Sequence, residues 1–329
     1  MPKPMASPPH PNPLPQGDSD FLRAEAREKS YVPQAGEGAK AMPKPINGEV
    51  SLMKNAMSID VEDYFQVSAF APHIRRDDWD AMPCRVERNM DLILGLLDEA
   101  NAKATFFTLG WIAERYPQVV RRIIDDGHEL ASHGYGHQRA SDLTPAEFRQ
   151  DITRAKHLLE DMSSLAVKGY RAPSFSINQN NWWAVTELEQ AGYLYSSSIY
   201  PVHHDHYGMP DAPRFPNRPN GASGILELPP TTLPLFGRNL PAAGGGWFRL
   251  LPYGVSRWML RRVNHQDQAP CMFYFHPWEV DHEQPRQPGL SAKTRFRHYV
   301  NLQRMPGRLR KLLSDFEWDR VDRVYLEAQ

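Results

Sequence analysis

The chain has 329 residues, 41% hydrophobic and 23% charged, with a formal net charge of −1. This composition excludes a fibrous or wholly disordered protein, and the near-neutral charge gives nucleic acid or an anionic membrane no electrostatic hold on the chain. No apolar run reaches the ~18 residues of a membrane helix, and no basic-then-apolar secretion signal opens the sequence, so a cytoplasmic location is expected.

Residues 1 to about 54 read as a disordered leader. Ten of the 30 prolines fall before Gly48; each fixes φ and removes a donor, which rules out a helix or a central strand there. Met42, Met53 and Met57 are later candidate starts. Folded pattern begins at Asn55, with Ala56–Ile59 as a short strand end. Val86, Met90, Ile93, Leu94 and Leu97 recur at helical spacing and predict a helix to about Ala100. Ala104–Leu109 (ATFFTL) reads as a strand. Tyr116–Asp126 reads as a helix, with Pro117 suited to its first turn and Gly127 to its end. Glu129–Ser132 is a strand. Thr144 and Glu147 form a capping box that opens a helix to about Met162. Val167–Arg171 is a strand, Asn181–Ala191 a helix closed by Gly192, and Tyr193–Ile199 a strand. Residues 200–255, rich in Pro and Gly, read as long loops or short hairpins. Met272–Phe275 (MFYF) is a buried strand, and one last helix spans roughly Lys293 to Phe316. Strands alternating with helices predict a parallel sheet, open or closed into a barrel. Cys84 and Cys271 lie far apart without a CxxC pair, which predicts two reduced, packed thiols.

In parallel β/α proteins, functional residues collect past the C-terminal ends of strands. Four clusters fall there. Asp60, Glu62 and Asp63 crowd three carboxylates into four positions; a solvated acidic turn would look the same, but a divalent cation would relieve their repulsion. His133 and His137 stand four apart around Gly134 and Gly136, and with one carboxylate they make a ligand set with positions open for water and substrate. Arg171, followed by Pro173 and Ser174, can point its charge at a carboxylate or form an ordinary salt bridge. His276 ends an aromatic strand, where it is either a packed histidine or a proton donor, and Trp278 beside it can stack on a sugar face or pack. Trp247, Phe248, Tyr253 and Trp258 fit a sugar groove and fit core packing equally well. The loop Val202-His203-His204-Asp205-His206 reads as polar loop rather than as a second metal site.

These four clusters, in this order, resemble the polysaccharide deacetylase family, also known as NodB-homology or carbohydrate esterase 4. Ala104-Thr105-Phe106-Phe107 and Gly127-His128-Glu129-Leu130-Ala131-Ser132-His133 look like the same family, and the resemblance covers roughly Ala56 to Val280. Ile59–Val67 (IDVEDYFQV), Gly244–Tyr253 (GGGWFRLLPY), Phe275–Asp281 (FHPWEVD) and Arg297–Leu302 look like a subgroup encoded in exosortase/PEP-CTERM exopolysaccharide loci, with its C-terminal extension. The resemblance implies a distorted (β/α) barrel with fewer than eight complete units. It divides the chain into the leader 1–54, a deacetylase domain 55–282 and a helical extension 283–329.

Residue by residue, the resemblance implies Asp60 as catalytic base, His133 and His137 as metal ligands, Arg171 as the residue orienting the base, His276 as catalytic acid, and the Ser174 N–H as oxyanion donor. Trp247, Tyr253 and Trp278 are candidate substrate contacts. Two positions depart from the pattern. Val61 stands where the family usually has its metal Asp, which leaves Glu62 as the preferred ligand and Asp63 as its rival. Ser196 stands where the subgroup tends to have Asp, so a carboxylate tuning the acid histidine is missing or comes from elsewhere, for instance Asp205. The implied activity is metal-dependent removal of N-acetyl groups from amino sugars of an exopolysaccharide, or of a lipid-linked precursor at the inner face of the membrane. Zn²⁺ is the first choice, and Co²⁺, Ni²⁺ or Fe²⁺ suit the same donors. The rivals are hydrolysis of a cyclic amide, as in allantoin-like compounds, and a sugar-binding homologue without activity.

Overall fold

The computed structural model describes residues 53–205 and 207–327. The proline-rich leader lies outside the described residues except for Met53 and Lys54, and Lys54 already opens the first strand. That strand, β1 (Lys54–Val61), is buried from Asn55 onward. It is followed by α1 (Val86–Glu99), β2 (Thr105–Thr108), α2 (Gly110–Arg115), α3 (Pro117–Asp125), β3 (Glu129–Ser132), α4 (Pro145–Ser163) and β4 (Gly169–Tyr170). Thr144 caps α4 through its side chain, with Glu147 returning the bond, so the capping box closes as its sequence suggests. Then come α5 (Trp183–Gln190), β5 (Tyr195–Ser196), β6 (Leu226–Glu227), a hairpin of β7 (Thr232–Leu235) and β8 (Arg238–Pro241), α6 (Gly245–Leu250), α7 (Tyr253–Arg262) and β9 (Met272–Phe275). The chain continues through α8 (Ala292–Tyr299), α9 (Met305–Asp315), β10 (Glu317–Asp319) and α10 (Val321–Tyr325).

Eight strands form one parallel sheet in the order β10-β1-β2-β3-β4-β5-β6, with β9 also on β1. Helices flank it, giving the distorted (β/α) barrel expected of the chain. Strand β1 is the hub. Its residues 54–56 pair with β10, residues 56–59 with β9 and residues 58–61 with β2. The main core packs Ile59, Val61, Ile93, Leu97, Phe106, Phe273, Leu309 and Trp318 together, and the unbroken burial of Asn55–Val61 shows that both faces of β1 are shielded from water.

Two expectations are corrected and one unassigned stretch is resolved. The single helix from Lys293 to Phe316 is two helices, α8 and α9, because Asn301 takes a left-handed φ of +52° between them. Residues 317–319, unassigned by pattern, are a strand of the central sheet. Residues 245–250, read as loop, are α6. Cys84 and Cys271 are free thiols.

Candidate active site

Four strand ends carry the polar side chains together: β1 brings Asp60 and Glu62, β3 leads into His133, β4 into Arg171 and β9 into His276. Parallel strands place all these ends on one side of the sheet.

Glu62, His133 and His137 are buried, and each offers a ligand atom within 4.8 Å of the others. His133 Nδ1 lies 2.8 Å from the carbonyl oxygen of Arg171. A carbonyl can only accept, so Nδ1 carries the proton and Nε2 keeps its lone pair. His137 Nε2 comes within 2.6 Å of Glu62 Oε2, yet that oxygen accepts no hydrogen bond. A buried, unbonded carboxylate oxygen is costly. A cation shared with the two imidazoles would satisfy it, and one carboxylate with two imidazoles suits zinc and its neighbours. The residues therefore fit a divalent metal. Burial would raise the Glu62 carboxyl, but the imidazoles of His137 and His276 outweigh it and hold it at about 2. Burial pushes His133 down to about 4, which favours the neutral form that binds metals.

The loop between the histidines is held from α4. The Asp151 carboxylate accepts the N–H groups of Tyr135 (3.0 Å) and Gly136 (3.4 Å). Gly134 sits at φ +75°, and a β-carbon there would stand 2.7 Å from Asp151 Oδ2, so position 134 needs glycine for both conformation and space.

Asp60 stands beside this cluster. Its Oδ1 accepts from Arg171 Nη1 at 2.7 Å. Arg171 is fully buried and donates also to Ser58 Oγ and to the Oγ and carbonyl oxygen of Ser197. His276 Nε2 lies 3.8 Å from Asp60 Oδ2 and 3.6 Å from Glu62 Oε1. Its Nδ1 lies 2.8 Å from Glu279 Oε1. Burial disfavours its charge, but Glu62, Glu279 and Asp60 outweigh that and raise it to about 9. Ser174 follows in a tight turn at φ +55°, its Oγ 2.6 Å from Ser68 Oγ.

The structure separates other named residues from this group. Asp63 turns away from the histidines. Its carboxylate accepts the N–H groups of Tyr64 and Arg85 and the Cys84 thiol, so of the two rival carboxylates only Glu62 joins them. Trp278 is 7% exposed and offers no open ring face. The imidazoles of His276 (5.3 Å, 18° between planes) and His298 (4.3 Å, 11°) stack against it, and its N–H donates to Glu62 Oε1 at 3.1 Å. Tyr253 donates to Asp315 and lines a surface cavity of about 560 Å³ with Leu250, Asn301, Arg304, Arg308 and Lys311; none of these belongs to the cluster. Trp247 is partly exposed on α6. Asp205 pairs with Lys293 and Arg297, and the carboxylate on His276 is instead Glu279. His203, His204 and Asp205 form no metal cluster among the described residues, and His206 lies outside them.

Pattern reading missed Asp151, Glu279 and Arg249. Asp151 has no local signal, since its partners are backbone amides 15 and 16 residues away. Glu279 had one: His276-Pro277-Trp278-Glu279 has the spacing of a capping box with proline at the first helical position.

Residues 78–195 match the polysaccharide deacetylase family and residues 197–326 match a domain of unknown function, DUF3473. Over 95 residues the chain is 36% identical to a peptidoglycan-N-acetylglucosamine deacetylase of Bacillus cereus, covering 29% of this chain and 34% of that protein. Over 79 residues it is 34% identical to a chitooligosaccharide deacetylase of Azorhizobium caulinodans, covering 24% and 38%. The chain thus spans about a third of the length of these curated relatives. A solved Mycobacterium smegmatis structure named for the same family shares the fold with a TM-score of 0.55 at 19% identity, over 88% of this chain and 95% of that one.

Proposed function

We propose that this chain, whose residues 78–195 match the polysaccharide deacetylase family, hydrolyses the N-acetyl groups of amino sugars in a polysaccharide, and more narrowly in an exopolysaccharide or its lipid-linked precursor. The observation that carries this reading is the meeting of Glu62, His133 and His137 beside the Asp60–Arg171 pair and His276. Glu62, His133 and His137 would hold a divalent metal, with zinc preferred. Such an ion supplies Lewis acidity toward the acetyl carbonyl and acidifies water.

The chain's own groups do the rest. Asp60 takes a proton from the attacking water through Oδ2, because Oδ1 is engaged by Arg171. The buried guanidinium fixes the orientation of the Asp60 carboxylate through Oδ1 and leaves Oδ2 free for the water. The Ser174 N–H donates to the carbonyl oxygen as it gains charge. His276 hands a proton from Nε2 to the departing sugar amine, a group too basic to leave unprotonated.

The test is acetate release from N-acetylglucosamine oligomers by the purified chain, with and without a chelator. His133→Ala should lose bound metal and turnover together. Asp60→Asn should keep the metal and lose ~10²–10⁴-fold in rate. A full metal complement in His133→Ala, or saccharide binding without acetate release at any metal loading, would falsify the reading. The second result favours the inactive sugar-binding homologue, and turnover of allantoin-like amides alone favours the cyclic-amide hydrolase.

A further inference from the structure

We infer that the buried ion pair Arg249–Glu279 is the positioning device of His276 and that the C-terminal segment holds this pair in place; the inference deepens the deacetylase reading and rests on it. It assigns a role to part of the stretch matched only by a domain of unknown function.

An imidazole can deliver a proton at a chosen point only if its ring is fixed, and the nitrogen not used in the transfer normally does the fixing. Glu279 Oε1 receives two donors from His276, the ring Nδ1 at 2.8 Å and the backbone N–H at 3.1 Å. One carboxylate oxygen thus sets the ring relative to its own backbone and leaves Nε2 facing Asp60 and Glu62. The other oxygen, Oε2, receives Arg249 Nε at 2.6 Å. Space for this carboxylate exists because residue 245 is glycine, where a β-carbon would collide with it.

Glu279 is fully buried and Arg249 is 1% exposed. A pair so desolvated is weak evidence of stabilisation, since apolar residues of similar volume often serve folding as well or better. Its presence one bond from His276 therefore calls for a functional reason. The remaining donors of Arg249 supply the link to the C-terminal segment. Nη1 donates to the carbonyl oxygens of His298 and Val300, both at 2.8 Å, and Nη2 to that of Arg297 at 3.2 Å. The carbonyls of Arg297 and His298 belong to the last turn of α8, which has no intrahelical partners and favours a cation. The left-handed Asn301 that breaks the helix there also donates to the Arg249 carbonyl oxygen at 2.8 Å. The end of α8 therefore fixes Arg249, Arg249 fixes Glu279, and Glu279 fixes the ring.

The experiment uses the full metal-loaded chain and compares wild type, Glu279→Gln, His276→Ala, the two combined, and Arg249→Met/Glu279→Met. Removing both charges in the last variant avoids stranding one in the core, so it should fold even where Glu279→Gln does not. Expected results are a ~10²-fold fall in kcat on N-acetylglucosamine oligomers for both variants of the pair, with KM within about twofold and metal content unchanged. In a His276→Ala background, Glu279→Gln should cost less than about twofold more, because the two act as one unit. Imidazole ¹⁵N–¹H NMR should show a slowly exchanging His276 Nδ1–H in wild type and lose it in Arg249→Met/Glu279→Met. Retention of kcat within about threefold in both pair variants, or multiplicative losses with His276→Ala, overturns the inference. If wild type releases no acetate, the deacetylase reading fails, while the Nδ1–H signal still decides positioning: its absence from wild type overturns it, and its loss on removing the pair upholds it.

Discussion

Asp60 lies on β1 and Glu62 just past its end, where the Glu62 N–H turns back to the Asp60 carbonyl oxygen at 2.9 Å. Both carboxylates face His276 Nε2, at 3.8 and 3.6 Å. Val61 between them is fully buried in the core, and it is Glu62 whose carboxylate meets the two imidazoles. This much was legible as an acidic cluster; the preference for Glu62 over Asp63 rested on the resemblance alone, and its physical reason, the amides at Tyr64 and Arg85 that capture Asp63, shows only in the fold. The sheet partner of Ser196 is Glu227, whose Oε1 accepts the N–H groups of Ser198 and Ile199 at 2.8 Å each. Burial pushes Glu227 up to about 7 from its ordinary 4.5. The folded chain thus holds this proton more tightly than the unfolded chain. The stabilisation is complete below about pH 4.5 and is lost as pH rises through 7. Glu227→Gln should remove that decline, on the order of 1.4 kcal/mol per pH unit within the window. Urea titrations of both proteins at pH 5 and pH 8 check it; parallel slopes would count against it.

At the scale of elements, long periodic helices were readable and short strands were not. Helices α1 and α3 follow their apolar spacing, α3 with Pro117 in its first turn, and α4 follows its capping box. Strands β4 and β5 shrink to two residues each, from five and seven expected by pattern, although the backbone bonds from Arg171 to Ser132 and from Ser197 to Tyr170 carry the pairing one residue further. The loop after β3 was legible in its ligands and not in its support. Asp151 touches neither ligand ring but ties the loop's amides to α4. Asp151→Ala is expected to weaken metal binding 10–100-fold with His133 and His137 intact. Titration against a competing chelator measures this, and an unchanged affinity would show that the loop stands without α4.

On the scale of the molecule, the site is assembled from both ends of the described chain. Strand β10 pairs with residues 54–56 of β1, the strand that carries Asp60. Behind it, α10 is tied to the sheet by the N–H of Asp322 donating to Glu129 on β3 and by Lys168 pairing with Asp322. No pattern announced this closure, since a three-residue strand has no period of its own and gains its identity from an edge offered more than 260 residues earlier. A chain ending at Asp315 should therefore lose cooperative unfolding and metal binding together, as read by circular dichroism melts and metal analysis. Normal metal content in that shortened protein would show that β1 needs no neighbour there.

The placement of Trp278 turns the protein into its own reporter. Of eight tryptophans in the sequence, this indole is bonded to Glu62 and stacked with two imidazoles, so its emission is sensitive to the charge held a few ångströms away. Adding zinc to stripped protein should shift or quench the fluorescence in a saturable way, and Trp278→Phe should abolish that response, giving an optical readout of occupancy that needs neither sugar nor turnover.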